Sequence, residues 1–233
     1  MKTFAIGDVH GNFSALQKLL ERLPINLQTD ELVFLGDLID RGPNSKLVLD
    51  FVIELQNRFG KVYILKGNHE QLLLDSLIAQ NSFDYWIAKG GWQTYLDYFP
   101  QSEKADWEKF KENFPTLHLE RLQQLLLFYR NKHALFVHAG ARFTGQAWEI
   151  DSMETALYYR DFDFWNGYFG QTIVVGHTPT NKIRKLFAEP TEPEKEMTAW
   201  KRGSLIAIDC GAGQQGRLCA LELPATKFYY QNV

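Results

Sequence analysis

Three short stretches of the sequence share one pattern: an apolar run reaches a glycine and polar side chains follow. They are FAIGDVHG (4–11), VFLGDLIDRG (33–42) and YILKGNHE (63–70). Each apolar run predicts a buried strand, and the segments between them (14–23 and 43–59) carry leucines and valines at helical spacing. A β-α-β-α-β order of this kind predicts an α/β fold in which mixed β-sheets are sandwiched by helices.

Further elements follow from the same patterns. The expected strands are 3–6, 32–35, 62–65, 134–137, 172–175, 205–208 and 218–223. From about 81 to 130 no strand pattern is evident, and the segment is helical and rich in aromatic residues. We therefore expect a single domain over 1–233 with a helical cap insertion at 81–130. The charged segment 188–203, which holds two prolines, predicts an exposed loop.

Composition narrows the possible partners. The chain has 233 residues and a formal net charge of -3, which gives no reason to expect binding to nucleic acid or to an anionic membrane. The start of the sequence lacks the pattern of a secretion signal, and no apolar run approaches the length of a membrane span, so we expect a soluble, cytoplasmic protein. Cys210 and Cys219 are expected to be packed free thiols rather than a disulfide or a metal-binding pair.

Chemically active side chains follow five of the predicted strands. Asp8 and His10 follow the first strand, Asp37, Asp40 and Arg41 the second, Asn68 and His69 the third, and His138 and His177 two later ones. Ligands of open α/β sheets bind outside the carboxyl ends of the strands. Any one of these residues could be a helix cap or a surface histidine. Because five strand ends share the feature, we expect one common pocket, reached by sharp turns at the glycines that precede the polar residues.

The ligand types in this set indicate metal chemistry. Oxygen and nitrogen donors without sulfur suit two divalent ions that share a carboxylate, with manganese favoured and iron or zinc possible. Calcium would prefer oxygen alone, and a structural zinc site would prefer cysteine. Paired ions roughly 3.5–4 Å apart clamp the attacking and leaving oxygens of a phosphoryl transfer. Their charge would attract a phosphate locally, although the whole chain is negative.

With these residues identified, the sequence resembles the calcineurin-like metallophosphoesterases. Within them it is similar to the phosphoprotein phosphatase branch, which includes bacterial and phage serine/threonine phosphatases and symmetrical diadenosine tetraphosphate hydrolases. The matching stretches are GDVHGN (7–12), GDLIDRGPNS (36–45), GNHE (67–70), HAG (138–140), GHTP (176–179) and IDCGAGQQGRLCALEL (208–223). The resemblance implies the four-layer αββα sandwich of that family.

The resemblance also implies a role for each matched residue. Asp8 and His10 would hold the first metal, Asp37 would bridge both, and Asn68, His138 and His177 would hold the second. A metal-bridging hydroxide would be the nucleophile. His69 would protonate the leaving group, oriented by Asp40. The substrate phosphate would be bound by Arg41, Asn68 and His69 and by a second arginine, for which Arg160 is favoured over Arg142.

Three functions compete at this point. The first is a two-metal phosphomonoesterase of the serine/threonine phosphatase type, acting on phosphoproteins. The alternative substrate is a dinucleoside polyphosphate, whose adenine could stack on the aromatic rings of 81–110 unless these only form the core of the cap. The third is a non-catalytic metal-binding scaffold. Glu70 is interpreted as a helix-start residue and Asp209 as a turn residue, and the oligomeric state is left open.

Overall fold

Two five-stranded sheets form the centre of the fold in a computed structural model, which describes residues 1–190, 192 and 196–233. The first sheet consists of β1 (Thr3–Ile6), β2 (Glu31–Phe34), β3 (Val62–Ile64), β11 (Arg217–Leu223) and β12 (Lys227–Asn232). Its spatial order is β12-β11-β1-β2-β3. β1, β2 and β3 run parallel, whereas β11 is antiparallel to β1, so the sheet is mixed.

The second sheet has the same mixed character. It consists of β4 (Phe128–Arg130), β5 (Leu135–Val137), β8 (Ile173–Val175), β9 (Trp200–Arg202) and β10 (Leu205–Ala207). The order is β4-β5-β8-β10-β9, with parallel pairing in the centre and antiparallel strands at both edges. A separate hairpin joins β6 (Arg142–Phe143) to β7 (Trp148–Glu149).

Helices connect and cover the sheets. The helices are α1 (Phe13–Arg22), α2 (Ser45–Arg58), α3 (Asn68–Ser76), α4 (Gln80–Trp86), α5 (Trp92–Tyr98), α6 (Trp107–Asn113), α7 (Thr116–Gln123), α8 (Met153–Tyr158), α9 (Phe162–Gly167) and α10 (Thr180–Leu186). A π-helical turn, Ile87–Gly91, joins α4 to α5, and a 3-10 turn, Ala212–Gln214, precedes β11.

Three buried clusters define the layers. One lies between the sheets, where Ala5 and Val33 of the first sheet pack with Phe136 and Val174 of the second. A second cluster joins the outer face of the first sheet to α1, α2 and the helices that follow α3. The third joins the outer face of the second sheet to α8, α9 and α10. The predicted α/β sandwich of mixed sheets between helices is therefore confirmed.

Two predicted segments differ from the structure in detail. The expected cap segment 81–130 contains helices as far as Gln123, but Phe128–Arg130 forms an edge strand. Its three residues, two of them exposed, give no recognisable strand pattern in the sequence. The predicted loop 188–203 contains the strand Trp200–Arg202, because Trp200 is buried against the second sheet. Residues 191 and 193–195 of that loop lie outside the described residues.

The remaining sequence expectations concern cysteines and membranes. Cys210 and Cys219 are buried free thiols, as predicted. Among the described residues, no helix is both long enough and apolar enough to cross a bilayer.

Candidate functional site

The predicted site residues lie in the turns that directly follow strands, and many of these turns are strained. The non-glycine site residues with positive φ are His10 (48°), Asp37 (49°), Asp40 (72°), Arg41 (70°) and His177 (63°). A non-glycine residue whose backbone lies in this left-handed region costs about 1–3 kcal/mol. It persists only where surrounding contacts enforce it. The strain is therefore concentrated where side chains of separate strands must converge.

The glycines in these turns have a different role from the one predicted. Of Gly36, Gly67 and Gly176, only Gly36 has a positive φ, at 97°. At Gly67 a Cβ atom would lie 2.2 Å from Asp37 Oδ1, and at Gly176 it would lie 2.1 Å from Asp8 Oδ1. The missing side chains thus make room for carboxylates from other strands, whereas the sharp turning falls mostly on the polar residues themselves.

One group of potential metal ligands contains Asp37, His138 and His177, whose donor atoms all lie within 4.8 Å of one another. Asn68 joins them, since its Oδ1 is 2.8 Å from His177 Nδ1 and 3.2 Å from His138 Nε2. His138 Nδ1 lies 2.8 Å from the carbonyl oxygen of Leu35, to which it can donate, and this leaves the Nε2 lone pair directed at the group. Four strand ends thus bring four donors together.

A second group contains His10, Asp37 and His69, again within 4.8 Å. His10 Nε2 is 3.7 Å from Asp37 Oδ2. Its other ring nitrogen, Nδ1, lies 2.9 Å from the carbonyl oxygen of Ile39 and can donate to it, so that Nε2 is available as a ligand. Asp37 belongs to both groups, which is the arrangement that a shared carboxylate requires.

Asp8 lies beside these groups, although neither of them, among the described residues, includes it. Its two oxygens accept hydrogen bonds from the backbone amide of His177 at 3.1 and 3.0 Å. Burial, together with the negative charges of Asp209 and Asp37, raises the pKa of Asp8 well above its usual value. Three carboxylates crowded in a buried space are stabilised by a cation, so Asp8 fits a ligand role electrostatically.

The protonation states also suit metal binding. Burial lowers the pKa of His10 to about 3 and lowers the pKa values of His138 and His177, which keeps the imidazoles neutral, each with one nitrogen that carries a lone pair. Burial also opposes ionisation of Asp37, but the surrounding imidazoles, His138 foremost, hold its pKa well below the usual range. Neutral imidazoles, an amide oxygen and an ionised carboxylate form a donor set that fits divalent transition metals.

His69 and Asp40 form a buried pair. His69 Nδ1 lies 2.7 Å from Asp40 Oδ2. Burial disfavours the charged imidazole, but the carboxylates of Asp37 and Asp40 outweigh it and raise the pKa of His69. Two residues of the helical insertion complete the arrangement: Trp86 Nε1 donates to Asp40 at 2.9 Å and Thr94 Oγ1 donates to it at 2.6 Å. Sequence reasoning missed both, because no local pattern distinguishes them from core residues.

Arg41 is fixed between two glycines. Its Nη1 and Nη2 donate to His10 Nε2 at 2.7 Å and to His69 Nε2 at 2.8 Å. Its amide donates to the carbonyl oxygen of Gly90 at 3.0 Å. An added Cβ would lie 2.8 Å from Arg41 Cγ at Gly90 and 2.9 Å from Arg41 Cδ at Gly213, so both glycines make space for this side chain.

The second arginine is distinguished by position. Arg160 Nε donates to His177 Nε2 at 2.8 Å, and Arg160 lines the same cleft as Arg41. Arg142 instead lies 3.5 Å from Asp151, with its side chain about half exposed. Arg160 therefore lies at the ligand groups whereas Arg142 does not, and binding of phosphate by Arg160 stays a prediction.

Glu70 does more than begin a helix. Its carboxylate accepts a hydrogen bond from the Gly67 amide at 2.8 Å, which forms the helix-start arrangement that the sequence predicts. It also accepts from the amides of Asp37 at 2.9 Å and Leu38 at 2.7 Å. Burial raises the pKa of Glu70 to about 7, with a contribution from the charge of Asp37. Glu70 therefore ties the turn after β2 to the turn after β3.

Comparison with known proteins gives this geometry a family. The sequence profile of the calcineurin-like phosphoesterases matches residues 1–200. This chain is a calcineurin-like phosphoesterase. A metallophosphoesterase of this family hydrolyses phosphoester bonds and is built around a dinuclear divalent metal centre, so the hypothesis of a non-catalytic scaffold is set aside.

The proteins similar to this metallophosphoesterase carry the names of several kinds of enzyme. It is 30% identical over 250 residues to an asymmetrical bis(5'-nucleosyl)-tetraphosphatase of Bacillus cereus, covering 96% of this chain and 91% of the relative. The fold is also that of a Sphaerobacter thermophilus metallophosphoesterase (TM-score 0.57, 15% identity, 100% and 88% of the two chains covered). A cold-active protein-tyrosine phosphatase from a Shewanella species has the same fold (TM-score 0.59, 18% identity, 99% of this chain and 80% of the other covered).

Proposed function

We propose that this metallophosphoesterase hydrolyses dinucleoside polyphosphates. The observation that carries the proposal is a cleft of about 490 Å³ lined by three cationic side chains, Arg41, Lys89 and Arg160. They come from three separate parts of the chain, whose net charge is -3, so the cleft is a local cationic site. The volume lies within the range of about 300–1,000 Å³ that binds ligands of nucleotide size.

A third cation favours a polyphosphate over a single phosphate. Arg41 and Arg160 border the ligand groups directly, through His10 and His69 and through His177. Lys89 lies on the wall of the same cleft, in the π-helical turn. If the two arginines hold one phosphate, Lys89 can bind the next phosphates of the polyphosphate. The Bacillus relatives are named as bis(5'-nucleosyl)-tetraphosphatases, which supports this substrate class.

The residues that would hold the metals are those that the family resemblance implies. Asp8, His10 and Asp37 would hold one ion, and Asp37, Asn68, His138 and His177 the other. When bound, the two ions would neutralise phosphate charge and supply an activated water at neutral pH. Because Arg41 now donates to His10 Nε2, metal binding there requires Arg41 to release that nitrogen, which frees its planar fork for phosphate oxygens.

The residues of the chain would then carry the rest of the reaction. Water adds to the phosphorus, and the bond from phosphorus to the bridging oxygen breaks. Once Arg41 has also released His69 Nε2, to which it donates here, a protonated His69 can donate from Nε2 to the departing oxygen while Asp40 holds the ring by its Nδ1. A proton lost by the attacking water then restores the imidazolium. Arg41 and Arg160 would bind the other oxygens of the phosphoryl group as its charge develops.

Product analysis tests the proposal. Manganese-loaded protein is incubated with diadenosine tetraphosphate, and the products are separated by chromatography. We expect one ATP and one AMP per substrate, as the asymmetrical cleavage in the Bacillus relatives' name implies, and no products with Asp37→Asn protein. An intact dinucleotide beside efficient hydrolysis of p-nitrophenyl phosphate would contradict the proposal while leaving the phosphoesterase activity in place.

A phosphomonoesterase acting on phosphoproteins, the first hypothesis of the sequence analysis, is the second candidate. Arg41 and Arg160 together offer enough donors for one phosphate dianion, without any need for Lys89. A phosphoserine peptide in the same assay distinguishes the two. Release of phosphate from the peptide with the dinucleotide left intact would place this candidate first.

A further inference from the structure

We propose that the walls of the cleft form a subsite for a nucleobase, with Tyr85 as its stacking platform and Lys89 as the ligand of the adjoining phosphates. This inference rests on the proposed function and specifies how the substrate is recognised. The floor of the cleft is made of strand-end residues, whereas the walls come from α4 and the π-helical turn on one side and from α8 on the other.

Tyr85 differs from the other rings of the helical insertion. Phe83, Trp86, Tyr95 and Phe110 are buried in one core cluster, as expected for a cap that stabilises itself. Tyr85 is 53% exposed and lines the cleft instead. An aromatic ring that packs into no core but faces the cleft is available for stacking, and each base stacked on an aromatic side chain contributes about 1–3 kcal/mol.

Lys89 places a positive charge next to this ring. Its Nζ lies over one face of the Tyr85 ring, 5.1 Å from the centroid, so a base would stack on the other face. A base against Tyr85 would therefore bring its own phosphates to Lys89, on the way to the arginines of the floor. A peptide substrate would have no comparable use for an adjacent pair of ring and cation.

The opposite wall supplies a second ring and an acceptor. Tyr158 lies at the end of α8, with its ring edge-on to that of His177 at a centroid distance of 6.4 Å. Glu154, one turn earlier, is the single carboxylate among the described residues that line the cleft. It can accept a hydrogen bond from an exocyclic amino group, which adenine, guanine and cytosine carry and uracil lacks. The subsite thus fits an amino-bearing base.

Specificity ratios test the subsite. For manganese-loaded wild-type, Tyr85→Ala, Tyr85→Phe and Lys89→Ala proteins, kcat/KM is measured with diadenosine tetraphosphate and with p-nitrophenyl phosphate. We expect Tyr85→Ala to lower the dinucleotide-to-nitrophenyl ratio by roughly 5- to 100-fold. Tyr85→Phe, which keeps the ring, should restore most of it. Lys89→Ala should lower the ratio by about 5-fold or more, because a charge-assisted contact is lost.

Matched controls come from the same chain. Phe169→Ala removes an aromatic side chain of similar exposure (59%) outside the cleft, and Lys104→Ala removes an exposed lysine of the helical insertion. Both should keep the wild-type ratio within about 2-fold, as surface changes usually do. Calorimetric titration with ADP gives a second readout, in which Tyr85→Ala should bind more weakly and Tyr85→Phe as wild type.

The outcomes separate this inference from the proposed function. If wild-type protein cleaves the dinucleotide and the Tyr85 and Lys89 variants keep the wild-type ratio and ADP affinity, the subsite is wrong and the function stands. If wild-type protein cleaves p-nitrophenyl phosphate but not the dinucleotide, the proposed function fails and the subsite with it.

Discussion

At the scale of single residues, the site depends on space as much as on chemistry. Gly213, in the 3-10 turn before β11, lies against His10 and Arg41, and a Cβ atom there would come within 2.4 Å of His10 Cδ2. Such an approach forces the ring or the arginine to move, since Cβ contacts this short do not occur without rearrangement. A residue without a functional group therefore controls where two functional groups lie.

Gly213→Ala tests this control. We expect kcat/KM for p-nitrophenyl phosphate to fall by about 10- to 100-fold, because displacements near 1 Å in an active site have effects of this size. The thermal midpoint should change little. Gly60→Ala is the control, since no atom lies within 4 Å of its added Cβ. Equal activity of the two variants would show that the Gly213 contact does not position Arg41 and His10.

His69 gives a prediction that depends on the leaving group. If it donates the proton, His69→Asn should lower kcat by about 10²- to 10⁴-fold for substrates with a basic leaving group such as phosphoserine. The loss should be smaller for p-nitrophenyl phosphate, because nitrophenolate leaves without needing a full proton. Steady-state kinetics on both substrates measure the difference. Equal losses would indicate that His69 acts by binding phosphate rather than by proton transfer.

At the scale of elements, the helical insertion contacts the candidate site directly as well as covering the sheet. Trp86 at the end of α4 and Thr94 in α5 both donate to Asp40, which is fully buried and holds His69. The π-helical turn between these helices also supplies the Gly90 carbonyl that fixes the Arg41 amide. Any motion of the insertion would thus be transmitted to His69 and to Arg41.

Trp86→Phe tests the link between insertion and catalysis. It keeps an aromatic ring in the core but removes the donor to Asp40, so we expect a loss of about 1.5–3 kcal/mol in unfolding free energy, since the acceptor is charged and buried. We also expect kcat to fall by roughly 10-fold, because His69 loses its fixed partner. Denaturant unfolding and steady-state kinetics provide the two readouts.

The control for this variant lies in the same insertion. Trp107 Nε1 donates to the carbonyl oxygen of Ser76 at 2.8 Å, away from the ligand groups. Trp107→Phe should lower stability through the lost hydrogen bond while kcat keeps its wild-type value. A Trp86→Phe protein that is destabilised but fully active would contradict a positioning role for Trp86.

At the scale of the whole molecule, the metal site joins the two sheets. Asp37 follows β2 of the first sheet, whereas His138 and His177 follow β5 and β8 of the second. The cluster between the sheets holds them together by apolar packing. At the site itself, burial and the crowding of carboxylates raise the pKa of Asp8 well above its usual value, and mainly burial raises the pKa of Asp209 to about 6. Cations bound there would cross-link the sheets and relieve this repulsion.

Metal binding should therefore raise thermal stability. A ligand present at about 100 times its dissociation constant stabilises the folded state by about 2.7 kcal/mol. We expect the midpoint of thermal unfolding of chelator-treated protein to rise by several degrees when manganese is added, since about 1 kcal/mol corresponds to roughly 2–4 °C for a chain of this size. Asp37→Asn should remove most of this increment. A manganese-induced shift that persists in Asp37→Asn would place the ions elsewhere.

The sequence by itself determined the order of the elements and the side chains at their ends. Apolar runs and the helical spacing of apolar residues identified β1, β2 and β3 and the helices between them, because these patterns lie within short segments of the chain. Asp37, His138 and His177 could be predicted to meet for the same reason, since parallel strands of an α/β fold present their carboxyl ends on one side.

Only the tertiary structure decided how these side chains are held. The donation from Trp86 to Asp40, the bonds from Glu70 to the turn after β2 and the orientation of Tyr85 toward the cleft join residues from different elements. Hydrophobic periodicity predicts whether a residue is buried, but it carries no information about which distant donor or charge it meets. These partners are set when the layers pack. The same packing places Arg160 in the cleft beside His177 and Arg142 beside Asp151.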